Sequence, residues 1–335
     1  MLGLEKPEVQ KELCLNGRLR AGCKQCAESC PEQKIRWGNA DDFPLFPGEC
    51  SRCGRCVSAC PAQAVLWPEK QRYPLHQKEG RADIFCRQKK ADGYVSCLAA
   101  LTAMELTFLA LQMEVALVFD PAVCENCRPG AGEQIQAEIK KANLFLTRLS
   151  KQPIKMHRQE IPGQKVFSRR DLFGVFFSAV RTVAVESLPL PLPDTDWRRH
   201  TVARLSALPE KLQGNGAPLF FGARAEASCR FCSACVRACK KNALQLRQSE
   251  TEMLLLHDSA ACDGCAICSQ VCSSASLEIS DQCSDLSALQ NGGKSVIFRQ
   301  MLTLCPVCHQ AMPENGGKPC VDCQRKQQKR LQDIY

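Results

Sequence analysis

The sequence predicts a multidomain α+β protein: two similar cysteine-rich modules flanking a small α/β domain, with a cysteine knuckle after the second module. Three observations predict this. First, the 335-residue chain carries 25 cysteines, and they fall into blocks: eight within 14–60, four within 86–127, eight within 229–272 and four within 305–323, leaving Cys283 over. Second, the first and third blocks read as copies of one unit, because each sets two cysteine runs about twenty residues apart and short apolar segments follow the runs, at Ala64–Trp67, Ala243–Leu246 and Leu277–Ile279. Third, no cysteine lies between about 150 and 225, where the stretch SLPLPLPDTD at 187–196 reads as an extended linker. The expected segments are a first module over 1–75, the α/β domain over 80–160, a helix and Pro-rich connector over 161–225, a second module over 226–285, and the knuckle with a basic tail over 295–335.

Composition narrows the function. The cysteines sit in tight C-x2-C groups, where neighbours are placed to share a metal rather than to form a disulfide framework. No apolar leader segment is visible at the start, and the apolar stretches Met104–Phe119 and Leu172–Leu188 are broken by Glu114, Arg181 and Glu186. The expectation is a cytoplasmic protein without a transmembrane span, in which thiols stay reduced. The formal charge of +9 treats every cysteine as neutral. Six sites of four thiolates each would add about −12, so the basic excess offsets bound-site charge and argues against a nucleic-acid partner.

The runs themselves carry the chemistry. Cys50-x2-Cys53-x2-Cys56-x3-Cys60-Pro61 places three thiolates in a loop around three corners of an iron–sulfur cubane, while the fourth points away to a partner cluster. Cys229, Cys232, Cys235 and Cys239 repeat the spacing, as do Cys262, Cys265, Cys268 and Cys272, with Lys240 and Ser273 where a proline would follow. A zinc site needs only two C-x2-C pairs and explains such runs poorly. The first run, Cys23-x2-Cys26-x3-Cys30-Pro31, has Arg20 where a cysteine would stand. Cys14 is the substitute, reaching across a longer loop containing Gly17 and Gly22; a three-cysteine site holding a [3Fe–4S] cluster is the alternative.

Residues 10–70 and 225–282 thereby resemble the two-cluster bacterial ferredoxins, which implies a ferredoxin-like α+β fold for each module and four [4Fe–4S] clusters in all. The family's exchange of last cysteines implies one site at Cys14, Cys23, Cys26 and Cys60, and a second at Cys50, Cys53, Cys56 and Cys30. It implies a third at Cys229, Cys232, Cys235 and Cys272, and a fourth at Cys262, Cys265, Cys268 and Cys239.

The middle block is spaced differently, as Cys86-x10-Cys97-x26-Cys124-x2-Cys127. Its pattern predicts a strand at Tyr94–Ser96, a helix over Leu98–Gln112, a buried strand at Val115–Phe119 and an amphipathic helix over Gly132–Ser150, with cysteines at strand ends of a small α/β unit. The run VSCLAALTAMELTFLALQMEVALVFDPAVCENCRPG resembles the delta subunit of methyl-viologen-reducing hydrogenases, a resemblance that implies a [2Fe–2S] centre passing electrons to a partner enzyme. Structural zinc and unligated, redox-active thiols remain alternatives for these four residues.

Cys305-x2-Cys308-x11-Cys320-x2-Cys323 has the spacing of a short zinc ribbon, in which four thiolates close one tetrahedral Zn2+ site; a single rubredoxin-type iron is the alternative. SRRDLF at 168–173 resembles an export signal but lies mid-chain, so it opens the helix Asp171–Leu188, whose apolar face packs on the chain or touches a membrane surface peripherally. No C-x3-C-x2-C, G-x-G-x-x-G or G-x4-G-K-[ST] motif and no acid–base constellation is present. The expected role is a relay of low-potential electrons between partner redox proteins, a donor and an acceptor that form part of a larger oxidoreductase complex. A maturation factor for a redox enzyme, or a thiol/disulfide reductase using the middle cysteines, remains as an alternative.

Overall fold

The computed structural model describes residues 6–19, 22–37, 43–46, 49–62, 64–66, 75–87, 89–90, 93–158, 186–187, 197–213, 217–283, 285–313 and 317–332. Arg20, Trp67, the helix expected over Asp171–Leu188 except its Glu186 and Ser187, and the Pro-rich stretch after Ser187 lie outside the described residues; Glu186–Ser187 is not helical but a short strand paired antiparallel with His76–Gln77. The chain divides into two compact units, Met1–Arg204 and Leu205–Tyr335.

The first unit begins with minimal secondary structure. Glu8–Val9 pairs antiparallel with Val65–Leu66, and Arg36–Trp37 with Pro44–Leu45. One-turn helices stand at Gln25–Glu28 and Arg55–Ser58. So little regular structure cannot bury a large apolar core, and cysteines fill the gap: Cys26 and Cys56 are buried alongside Ile35 and Val65.

The rest of the first unit is an α/β fold. Arg81–Ile84, Glu114–Val118 and Lys155–His157 form a parallel sheet with Glu114–Val118 in the centre. The crossovers contain the helices Ala103–Ala110 and Ala131–Arg148. The second buries Ile135, Ile139, Ala142, Phe145 and Leu146, a stripe at helical spacing.

The helix expected over Leu98–Gln112 is broken. A 3-10 turn at Leu98–Ala100 precedes an extended Thr102, whose hydroxyl accepts the Glu105 N–H at 3.2 Å and starts a new helix. Glu105 is fully buried there and accepts the Tyr94 hydroxyl at 2.9 Å. The strand expected at Tyr94–Ser96 reduces to one bridge between Cys86 and Val95. Helix Trp197–Ser206 packs on this domain through Trp197 and Phe108, whose rings are 5.3 Å apart.

The second unit is built on antiparallel strands. Leu244–Gln248, Glu252–Asp258, Lys294–Leu304 and Ala311–Pro313 make one sheet in that order, and Ala217–Ala225 pairs with Leu277–Cys283. The expected apolar segments thus become strands, Leu244 facing His257 and Leu246 facing Leu255. Asp285 caps helix Leu286–Gln290 by accepting the Ser287 N–H at 2.8 Å. Gln290 then ties down the incoming chain, accepting Leu212 N–H at 2.9 Å and donating to the Glu210 carbonyl at 2.8 Å. Among the described residues no helix is long and apolar enough to cross a membrane.

Candidate metal centres

The cysteines of 14–60 gather into two fours, and each four takes its last member from the other run. Burial first, then the neighbouring Cys60, Cys23 and Cys14, push the Cys26 thiol up to about 12. Cys56 is raised further by burial and by Cys53, Cys50, Cys26 and Cys30, while Cys50 is raised by burial with Cys53 and Cys30 beside it. A cavity is lined by Cys30, Cys50, Cys53 and Cys56 together with Ile35 and Phe46. Four thiols around one apolar-walled space fit a polynuclear cluster bound at four corners. Cys14 is buried with Ala62 and Ala64, against which Cys60 also packs. The chain between Cys14 and Cys23 includes a helical turn at Leu15–Leu19, and Gly17 within it faces the Phe43 ring so closely that a Cβ would collide.

Backbone geometry repeats from run to run. The second and fourth residues after the first cysteine take left-handed φ in three runs: Arg52 and Gly54, Phe231 and Ser233, Gly264 and Ala266. In the first run Gly22, with φ of 67°, stands two residues after Arg20. The third residue after the last cysteine is left-handed at Gln33, Asn242 and Ala275. Such turns aim successive N–H groups into one concavity, a nest for negative charge. The sulfurs receive them: Arg52 N–H lies 3.4 Å from Cys50 Sγ, Ala64 N–H 3.2 Å from Cys60 Sγ, and Ala243 N–H 3.3 Å from Cys239 Sγ.

In the second unit, Cys262 and Cys268 are both pushed up to about 12, by burial first, with Cys239 near each of them and near Cys265. Cys235 is raised by burial and has Cys229 and Cys232 beside it. Cys272 packs with Cys229 and Cys235 against the core formed by Leu244, Leu255, Cys268 and Leu277. Its thiol is lowered, to about 7, first by the Ser276 hydroxyl.

The four middle cysteines converge as well. Cys86 follows the strand Arg81–Ile84, Cys97 precedes the 3-10 turn, and Cys124 and Cys127 ride on helix Pro121–Cys127 after the strand Glu114–Val118. All lie toward the carboxyl ends of parallel strands, where open α/β sheets place their ligands. That helix is absent from the sequence expectation, although Asp120 as cap and Pro121 at its first position announce it. Burial, with Cys86 and other thiols nearby, pushes Cys97 and Cys124 up to about 11.

This quartet adjoins the second of the two fours in the first unit. Cys53 is among the thiols that raise Cys97. Arg128 donates to the Ser51 carbonyl at 3.1 Å, the buried Arg55 reaches the Pro129 carbonyl at 3.4 Å, and the Ser58 hydroxyl donates to the Ala100 carbonyl. Sequence reasoning did not single out Arg55 and Arg128, because their partners lie more than seventy positions away.

Cys305, Cys308, Cys320 and Cys323 form a tighter group, with all four Sγ atoms within 4.8 Å of one another. Cys308 and Cys320 sulfurs are 3.8 Å apart. A tetrahedron with metal–sulfur bonds of 2.3 Å has edges of about 3.8 Å, so this donor set fits one ion bound by four thiolates. Cys305 is fully enclosed and accepts the Cys320 N–H at 3.3 Å, which draws its thiol below the ordinary range. Among the described residues the other quartets are not drawn together so closely, which fits thiolates spread over more than one metal ion better than four on a single ion. Cys283 is buried at the end of its strand, where its thiol donates to the Asp285 carbonyl at 3.4 Å.

The family model of the 4Fe-4S dicluster domain matches residues 21–65, which hold seven of the first eight cysteines, Cys14 lying upstream. No curated protein matches the chain. The matched stretch is a 4Fe–4S ferredoxin-type domain, and with the cysteine clusters it points to iron–sulfur electron transfer.

Proposed function

We propose that this chain is a multicluster, polyferredoxin-type electron carrier, a subunit that relays low-potential electrons between partner redox proteins. In this reading Cys14, Cys23, Cys26 and Cys60 hold one [4Fe–4S] cluster, and Cys30, Cys50, Cys53 and Cys56 a second. Cys229, Cys232, Cys235 and Cys272 hold a third, and Cys239, Cys262, Cys265 and Cys268 a fourth. Cys86, Cys97, Cys124 and Cys127 hold a [2Fe–2S] cluster, and Cys305, Cys308, Cys320 and Cys323 a structural Zn2+. When bound, the clusters supply reversible one-electron chemistry. The chain's own residues ligate them, aim N–H groups at the sulfurs and keep water from the buried thiolates.

The observation that carries the reading is the cavity lined by Cys30 with Cys50, Cys53 and Cys56, a donor set drawn from both runs. The neighbouring Cys97 supports extending the path into the middle domain. Burial argues against Cys97 and Cys124 as the nucleophiles of the reductase alternative, since a nucleophilic thiol needs a low pKa and theirs are raised to about 11. Elemental analysis of anaerobically purified protein, with EPR after reduction, tests the assignment: it expects about 18 Fe and 1 Zn per chain. About 16 Fe with 2 Zn would make the middle site structural. About 8 Fe, in protein shown to have lost no clusters, would refute the four-cubane map.

A further inference from the structure

The residues two and four places after a run's last cysteine differ between runs. They are Glu32 and Lys34 after Cys30, Ala62 and Ala64 after Cys60, Lys241 and Ala243 after Cys239, but Ser274 and Ser276 after Cys272. The Cys272 sulfur lies 3.4 Å from the Ser276 hydroxyl and 3.5 Å from that of Ser274, and the two hydroxyls are 2.9 Å apart. A metal-bound thiolate has no proton, so in the loaded protein the hydroxyls must be the donors. Ser276 is 2% exposed, so its proton is not diverted to water. Ser274 can donate to the sulfur or to Ser276.

The other site of this unit receives a backbone bond, Ala243 N–H at 3.3 Å from Cys239 Sγ, but it also sets a carboxylate beside its ligands, since Asp263 stands between Cys262 and Cys265 in the chain. Exposure differs in the same sense. Cys232 is exposed, whereas Cys262 and Cys268 are buried.

Adding an electron makes a four-thiolate site more negative. Hydrogen bonds to sulfur and solvent exposure favour that state, and a nearby carboxylate opposes it. We propose that the second unit is a polarised pair: Ser274 and Ser276 raise the reduction potential at Cys229, Cys232, Cys235 and Cys272, while Asp263 lowers it at Cys239, Cys262, Cys265 and Cys268. An electron from a low-potential donor protein therefore collects at the site whose Cys232 faces solvent, ready to leave for an acceptor. Ser274, Ser276 and Asp263 are positioning residues here, and the inference rests on the four-cubane reading above.

The test is an EPR-monitored redox titration of the full-length holoprotein, with dithionite as reductant. Ser276→Ala should make one couple about tenfold harder to reduce at fixed potential, which is about 59 mV for one electron. Ser274→Ala/Ser276→Ala should shift that couple further. Ser276→Thr, which keeps the hydroxyl, should restore it, and Ser273→Ala, at an exposed position without a sulfur contact, should leave it alone. Asp263→Asn should move a different couple the opposite way. Full cluster content with both couples unmoved in the double variant and in Asp263→Asn would overturn the inference while leaving the cluster map intact. Wild-type protein without cubane signals would instead overturn the map itself.

Discussion

Cys14 offers the sharpest test of the ligand map, because the first run lacks a cysteine at position 20 and its site needs a fourth thiolate from elsewhere. The perturbation is Cys14→Ala. Cys14 is 8% exposed, lies in the same small core as Cys60, and contributes to the raised Cys26 thiol together with Cys23 and Cys60. Those contacts make it one of four thiols around one site, so removing it strips the ligand from one iron. The expected loss is about one Fe of about 18 per chain. A three-iron cluster in the oxidised state has three ferric ions and an unpaired spin, so anaerobic protein should show a new EPR signal before any reductant is added. Cys283→Ala is the control, since that thiol is also buried but donates to the Asp285 carbonyl and belongs to no cysteine run. Iron content and spectra unchanged in Cys14→Ala would refute the reasoning and leave Cys14 a packing residue.

Three further outcomes follow from particular contacts. His257 is 1% exposed, and burial lowers its pKa from 6.5 to about 4. Below 6.5 the unfolded chain takes a proton that the folded chain refuses, so stability present above that pH is lost as pH falls toward 4, by about 3 kcal/mol in all. Urea midpoints followed by circular dichroism should fall between pH 7 and pH 5, and His257→Leu should reduce the slope; an unchanged slope would count against the assignment. Cys323→Ser should remove about one Zn per chain and speed hydrogen exchange around Cys305–Cys323, whereas full zinc retention would exclude a four-thiolate site. Arg128→Ala loses its bond to the Ser51 carbonyl and should lower the first unit's stability by about 1–2 kcal/mol, read as a urea midpoint. No change there would show the seam to be incidental.

An exchange of last cysteines could be expected from the sequence through the resemblance to two-cluster ferredoxins, in which three closely spaced thiolates wrap one cluster and the fourth points to its neighbour. The loop geometry that makes this work could not. Left-handed φ is announced by Gly54 and Gly264 but concealed at Arg52, Phe231, Ser233 and Ala266, residue types that ordinarily avoid it. Such loops are held open against local preference, and a bound group that over-determines the conformation is the natural reason. Other misses had signals in the chain. Thr102 followed by Glu105 marks a helix start inside the expected Leu98–Gln112 helix, and Asp120–Pro121 marks the helix that carries Cys124 and Cys127. The Arg128–Ser51 contact had none, because only tertiary folding brings positions 77 apart together.

Charge ties these observations together. Burial first, with neighbouring thiols, pushes Cys26, Cys262 and Cys268 up to about 12, so without metal these three thiols hold their protons at pH 7. Loading each site with metal must expel the protons and leave net negative charge among groups with little access to water. Two features of the chain lower that cost. The left-handed turns direct N–H dipoles onto sulfur, and the +9 formal excess supplies longer-range compensation. The basic residues and the reversed backbone turns are therefore two parts of one solution to holding many thiolates in a chain with little apolar core around them. A chain of the same cysteine spacing but acidic overall would bind its metal less tightly, and would lose it at a higher pH during acidification.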